Sequence, residues 1–394
     1  MRGIVSGRVA QHKDTLIVKA ELVDVVKQDQ LWGDHYNRKM ADLLDVQDEI
    51  AREIASRLQQ RLMVEARKRP ASRPTQNLEA YRIYLQAQQQ SYRWSQEGLR
   101  KSIELFQQAI SVDPTHAPSY AGLSYALAMT GFFGYLPGVE VYTRAEAAAK
   151  RALELDDSLG EPHAAMGWVA LQYHFNGKEA LAHYRKAIEL RPDLAIAYHG
   201  LGVCHVTQRN YVEAIPAMRK AADLDPLTPL FLAHLGWALH CSGNDEEAIR
   251  VMNSVLELYP GDYYTLRVRL YACITGKRPD LAVQSRPLVG MHIKSRQIAL
   301  GLEAWACAAA GQFDEARKIR DKLVAEPAVE VGVEYYVAMV CCVLGENQQA
   351  MDWLEKAYEH RLGIISILAG EPTWAPLRSE PHFQTLLRKL DLPV

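Results

Sequence analysis

Thirteen histidines and six cysteines are the side chains of this sequence best suited to hold a metal or act as nucleophiles. His199, His205, His234 and His240 fall on two successive apolar segments. No Cys, Asp or Glu cluster completes a ligand set around them, so they read as structural or surface histidines. Cys273, Cys307 and Cys341 recur every 34 residues. Equivalent positions on packed neighbouring helices lie roughly 10 Å apart, too far for a disulfide. They read as small hydrophobes filling helix crossings. Cys341 and Cys342 are adjacent and point to different helix faces. Ile274–Arg278 reads ITGKR, which lacks the upstream glycine and the Ser/Thr of a phosphate loop. HExxH, GxSxG and GxGxxG are all missing. No nucleophile, base or metal set can be assembled. The reading is a non-catalytic protein without a cofactor.

The elements behind these residues show a repeat. Pro192, Pro226 and Pro260 are 34 apart, as are Ala180, Ala214 and Ala248. Leu201-Gly202 and Leu235-Gly236 keep the step, and so do Gly311 and Gly345, and Ala316 and Ala350. Each unit reads as two helices. Within 195–226, AYHGLGVCHVTQ is the first, RNY the turn and VEAIPAMRKAADL the second. The glycine and the small alanines let the paired helices approach closely. The proline cannot continue the second helix.

These residues resemble the tetratricopeptide repeat (TPR), best over 161–260. They are Met166-Gly167, Ala180, Tyr184, Ala187 and Pro192, then Tyr198, Leu201-Gly202, Ala214, Ala221 and Pro226, then Leu235-Gly236, Ala248 and Pro260. An earlier unit keeps Phe106, Ala109 and Pro114. The next keeps Tyr120, Gly122 and Tyr125, followed by an insertion, GFFGYLPGV. Later units near 263–295, 297–327 and 331–361 keep Ala282, Ala316 and Ala350 but lose Leu-Gly. The resemblance implies a mainly α fold, a right-handed α-solenoid of about 7–8 helix pairs over 78–375. A capping helix and tail follow at 376–394.

In that fold the first helices line a concave groove that takes a peptide. Positions spaced to face it are Trp168, His199, Trp237, His240, Tyr264, Arg267, Tyr271, Trp305 and Tyr335. The set is aromatic, and Arg267 is its one cation. It fits a peptide with apolar anchors better than an acidic tail, since aromatic side chains dominate binding hot spots.

Residues 1–64 stand outside the repeat. IVSGRVAQHKDTLIVKAELVDVV alternates apolar and polar residues around His12-Lys13-Asp14, which predicts a β-hairpin. DLLDVQDEIAREIASRLQQRL predicts one amphipathic helix. SGRV, AELVD, Leu31-Trp32, Tyr36-Asn37-Arg38 and the helix start at Gln47 resemble the second half of a TolB/FlgO-like α/β domain of bacterial TPR signalling proteins. There such a domain follows an effector: an adenylate cyclase, a Ser/Thr kinase or a winged-helix regulator. A partial domain implies self-association through 1–64. Residues 65–77 read as a linker.

The charge balance, 45 Lys+Arg against 47 Asp+Glu, argues against nucleic-acid binding by phosphate neutralisation. No apolar run approaches 18 residues, so no membrane span is expected. Sparse cysteines fit a reducing, cytoplasmic setting. The functional expectation is a scaffold holding a protein or peptide partner in bacterial signalling. The alternative is the regulatory C-terminal part of a signalling protein whose effector lies elsewhere.

Overall fold

A computed structural model describes residues 3–12, 15–24, 29–39 and 77–394, apart from 92–94, 227, 276–295 and 327–331. The chain divides into two compact units, Met1–Pro74 and Thr75–Val394. The amphipathic helix expected at 42–62, most of the linker and the segment around Ala282 lie outside the described residues.

In the first unit β1 (Gly3–His12) and β2 (Thr15–Asp24) form the expected hairpin, with His12 opposite Thr15. A third strand, β3 (Asp29–Lys39), pairs antiparallel with β2 and shifts register between Leu22 and Val23. The order is β1-β2-β3. The hairpin reading left β3 out because its polar residues break the period-2 apolar pattern.

The second unit is a right-handed α-solenoid. Its helices are α1 (Leu78–Ser91), α2 (Gln96–Val112), α3 (Ala117–Phe132), α4 (Gly138–Leu155), α5 (Gly160–Gln172) and α6 (Gly177–Leu190). There follow α7 (Ala195–Thr207), α8 (Tyr211–Leu224), α9 (Pro229–Cys241), α10 (Asp245–Leu258) and α11 (Tyr263–Thr275). Beyond the undescribed stretch come α12 (Arg296–Ala309), α13 (Phe313–Ala325), α14 (Val333–Val343), α15 (Asn347–Glu359) and α16 (Pro381–Lys389). Consecutive helices pack as pairs, and each first helix also packs on the first helices beside it.

Composition explains which helix goes where. First helices such as α7 and α9 are apolar all round and buried nearly all round. Second helices carry one small-residue stripe; α6 buries Gly177, Ala180, Tyr184 and Ala187 and leaves its charged residues outside. A Cβ on Gly167 would come within 2.7 Å of the Tyr184 ring, and one on Gly202 within 2.5 Å of Met218 Cγ. The Leu-Gly step is therefore where the second helix leans onto the first. The neighbour of Gly236 is Met252, at 2.9 Å, more than the alanine stripe.

The turn inside each pair has its own 34-residue rhythm. Phe175, Arg209, Gly243, Gly311 and Gly345 all adopt positive φ, between 53° and 88°. The next N–H reaches back to the helix, as Asn210 N does to His205 O at 2.8 Å and Asn244 N to Leu239 O at 2.9 Å. This closure needs a left-handed residue. Glycine supplies it at three of these turns.

The end of the chain departs from the repeat reading. Residues 363–377 do not continue the solenoid. They form two 3-10 segments, Gly363–Ile367 and Pro372–Leu377. The first packs against α3, α5, α7 and α15; the second packs against α11 and α14. All but α15 are first helices, so the segment lies along the concave side. Arg361 donates to Tyr173 O at 3.1 Å and Gln208 Nε2 to Asp391 O at 3.0 Å, tying the chain end to turns of early repeats. Between those ties α16 buries Phe383, Leu386 and Leu387 and packs on α15.

Candidate functional site: a concave surface filled by the chain's own segment

The nine residues read as groove-facing do not line an open cleft. Trp168, His199 and Tyr335 have no exposed surface, Trp305, His240 and Tyr271 at most 2%, and Trp237 3%. Tyr264 is buried as well and Arg267 half-buried. The expectation that they face an open groove is corrected on two physical grounds. First helices approach closely enough for their rings to stack, and the returning segment covers much of what remains.

The stacking forms a ladder across repeats. Trp168 lies 5.5 Å from His199, His199 4.5 Å from His234 and His234 4.5 Å from Tyr264, centroid to centroid. His199 and His234 share a hydrogen bond through Nε2 and Nδ1, and His234 Nε2 bonds the Tyr264 hydroxyl. The Arg267 guanidinium sits 4.4 Å above the Tyr264 ring and donates to the Tyr336 hydroxyl at 3.0 Å. Burial drives the His199 imidazole down to about 3, and burial and His199 depress His234 well below its usual range. Both are neutral spacers, consistent with the structural reading of the histidines. Tyr271 and Trp305 make a second contact, edge to face at 4.7 Å.

Phe132, in the insertion that interrupts the early repeat, joins this ladder 4.9 Å from Trp168 and 5.7 Å from His234. Sequence reasoning passed over it. The aromatic cluster Phe132-Phe133-Tyr135 was the available signal.

Trp237, His240 and Tyr335 meet the returning segment. Trp237 Nε1 donates to Glu371 Oε2 at 2.9 Å, and His240 Nε2 lies 3.3 Å from Glu371 Oε1. His240 Nδ1 is 2.6 Å from Asp245 Oδ1. Burial alone would depress the His240 imidazolium. Its bonds to Asp245 and Glu371 outweigh that and hold it up at about 9, so it is protonated at neutral pH. Arg267 is therefore not the one cation of this surface. Gln172 Nε2 donates to Ser366 Oγ at 3.1 Å and the Tyr211 hydroxyl to Gly370 O at 3.1 Å. Trp374, fully buried, meets Tyr335 edge to face, 5.4 Å between ring centroids. Nothing in the local sequence marks Glu371 for this position; it lies 134 residues from Trp237.

Between the ladder and Ile364 and Ile367 remains a cavity of about 30 Å³, edged by Gln172, His234 and Arg267. That is room for one or two waters. Among the described residues no group of three or more His, Cys, Asp or Glu side chains converges to hold a metal. Cys204, Cys241, Cys307, Cys341 and Cys342 are buried, and burial raises the thiol pKa of Cys204 and Cys342 to about 12, which makes poor nucleophiles. No helix of the described residues is long and apolar enough to cross a membrane.

Comparison with known proteins gives the repeat its name. Family models described as TPR or tetratricopeptide repeat match residues 178–209, 195–226 and 213–263. A putative adenylate cyclase 3 from Rhizobium meliloti (strain 1021) is 29% identical over 165 residues, 41% of this chain. The match spans 28% of that curated relative's length. Among solved structures, the Cut9 and Hcn1 hetero-tetramer of the APC/C covers 74% of this chain and 52% of its own, with a TM-score of 0.51 and 15% identity. Yeast Tom70 covers 80% of this chain and 69% of its own, with a TM-score of 0.46 and 16% identity. Within residues 178–263 the helix pairs match tetratricopeptide repeat models, and the fold is an α-solenoid.

Proposed function

We propose that this chain is a non-catalytic protein-interaction scaffold whose concave surface takes a peptide segment of a partner, within bacterial signalling. The observation that carries the reading is that the surface already holds a peptide. Residues 363–377 lie along the first helices and are gripped by side chains of Gln172, Tyr211, Trp237 and His240. A partner segment would use the same grips after the chain's own residues move aside. The cis segment has the advantage of a high effective concentration, of millimolar order for short connections. Exchange therefore needs a tight partner or a loosened segment.

Panning a displayed random-peptide library against the full chain tests this. Recovered peptides are expected to be competed by a free peptide of residues 362–378 and lost with Trp237→Phe. Recovered peptides indifferent to both would overturn it.

A second reading is supported by the likeness to the putative adenylate cyclase. In it the repeats regulate a signalling effector, and residues 1–64 belong to a TolB/FlgO-like domain that pairs with a second copy. The reading frame upstream of Met1 discriminates: an effector continuous with this chain favours regulation, and its absence favours the free scaffold.

A further inference from the structure

The surface is specific about one feature of what it holds, an inference that rests on the peptide-binding reading above. Glu371 has no exposed surface, and its carboxyl group lies inside an aromatic interior. Both side chains that hydrogen-bond its carboxyl group are donors: the Trp237 indole N–H and, with Asp245 bonded to the other ring nitrogen, the His240 Nε2–H. An indole N–H cannot accept, and the Asp245 bond commits the second nitrogen of His240. A glutamine in this place would satisfy one donor with its oxygen and turn its own N–H₂ on the other. An aspartate is a methylene short. On either side the segment is held by apolar burial, Leu368 three residues before and Trp374 three residues after, both fully buried.

We infer that Trp237 and His240 form a socket for a single side-chain carboxylate, and that a partner segment entering the concave surface carries a glutamate there, an apolar residue three positions before it and an aromatic residue three positions after. The chain's own Leu368, Glu371 and Trp374 are the occupant whose place it takes. The partner is a mid-chain acidic segment with apolar anchors, so neither a wholly apolar peptide nor a polyacidic tail fits.

The probes are a labelled synthetic peptide of residues 362–378 and the same peptide with Glu371→Gln. Each is titrated by fluorescence anisotropy into the full chain and into a full chain loosened by Trp374→Ala. The native peptide is expected to bind the loosened chain at least tenfold more tightly than the glutamine peptide, and Trp237→Phe in that chain should remove the difference. Equal affinities would overturn the socket and leave the peptide-binding reading standing. Binding of neither peptide to a loosened chain with intact helical circular dichroism would overturn both.

A second measurement covers the case in which Trp374→Ala fails to fold. In the otherwise unaltered full chain, Glu371→Gln should speed amide hydrogen exchange across residues 363–377 at least tenfold. Exchange there unchanged from the parent chain would overturn the socket.

Discussion

Trp237 and Glu371, 134 residues apart, are joined by an indole-to-carboxylate hydrogen bond of 2.9 Å inside the concave face of the solenoid. A surface read as a site for a partner is thereby held by the molecule itself. The energetic weight of that bond is open to a direct comparison. Trp237→Phe keeps most of the ring but strips a donor from a buried carboxylate, which should cost about 1.5–3 kcal/mol. Trp168→Phe is the control, because the Trp168 Nε1 has no partner. Its cost should be the smaller one of packing, below about 1.5 kcal/mol. Urea midpoints of the two variants check this, and a Trp168→Phe loss as large as that of Trp237→Phe would contradict it.

Stability should fall on both sides of a maximum near pH 6.5. His240 is raised in the fold to about 9, above the ordinary histidine value near 6.5. Its contribution is complete below pH 6.5 and is lost as pH rises through 9, up to about 3 kcal/mol. His199 is depressed to about 3, so its contribution is present above pH 6.5 and is lost as pH falls, by about 1.4 kcal/mol per unit. Denaturation between pH 6.5 and 8.5 should show a falling midpoint in the parent chain and a flatter line in His240→Gln. The same slope in both would show that His240 is not the group titrating.

The left-handed turns make opposite predictions at two equivalent sites. Arg209 holds φ 57° without glycine's freedom, and Gly243 holds φ 88° with open space around it. Arg209→Gly should therefore stabilise, or cost nothing beyond glycine's unfolded-state entropy, whereas Gly243→Ala should destabilise by about 1 kcal/mol. Thermal melts of both variants would settle the sign. A more stable Gly243→Ala would mean the turn does not require the left-handed residue.

Gly202→Val should destabilise by about 1–3 kcal/mol, since the new side chain meets Met218 Cγ and the carbonyl of Ala214. Methionine can yield; the carbonyl cannot. Adding Met218→Ala should recover part of the loss. A double mutant no better than the single would place the clash on the backbone alone.

The sequence by itself determined the repeat, because the devices that build it are local. Gly202 lies 16 residues from the Met218 it must accommodate, Asn210 closes its turn on His205, and the all-round apolar first helices and striped second helices are readable as strings. Helical spacing also places Trp168, His199, Trp237 and Tyr264 on first helices, where the structure packs them around His234. What it left open is the state of that face. Whether aromatic side chains on neighbouring first helices stand apart or stack depends on how tightly the superhelix winds. That is a sum of small rotations over many repeats, and no single residue reports it. Whether the face is open or filled depended on Gly363–Leu377, a stretch without repeat pattern that the tertiary fold turns back onto helices more than a hundred residues earlier. That return helps make His240 a cation, because its bonds to Asp245 and Glu371 together outweigh the burial that alone would discharge it.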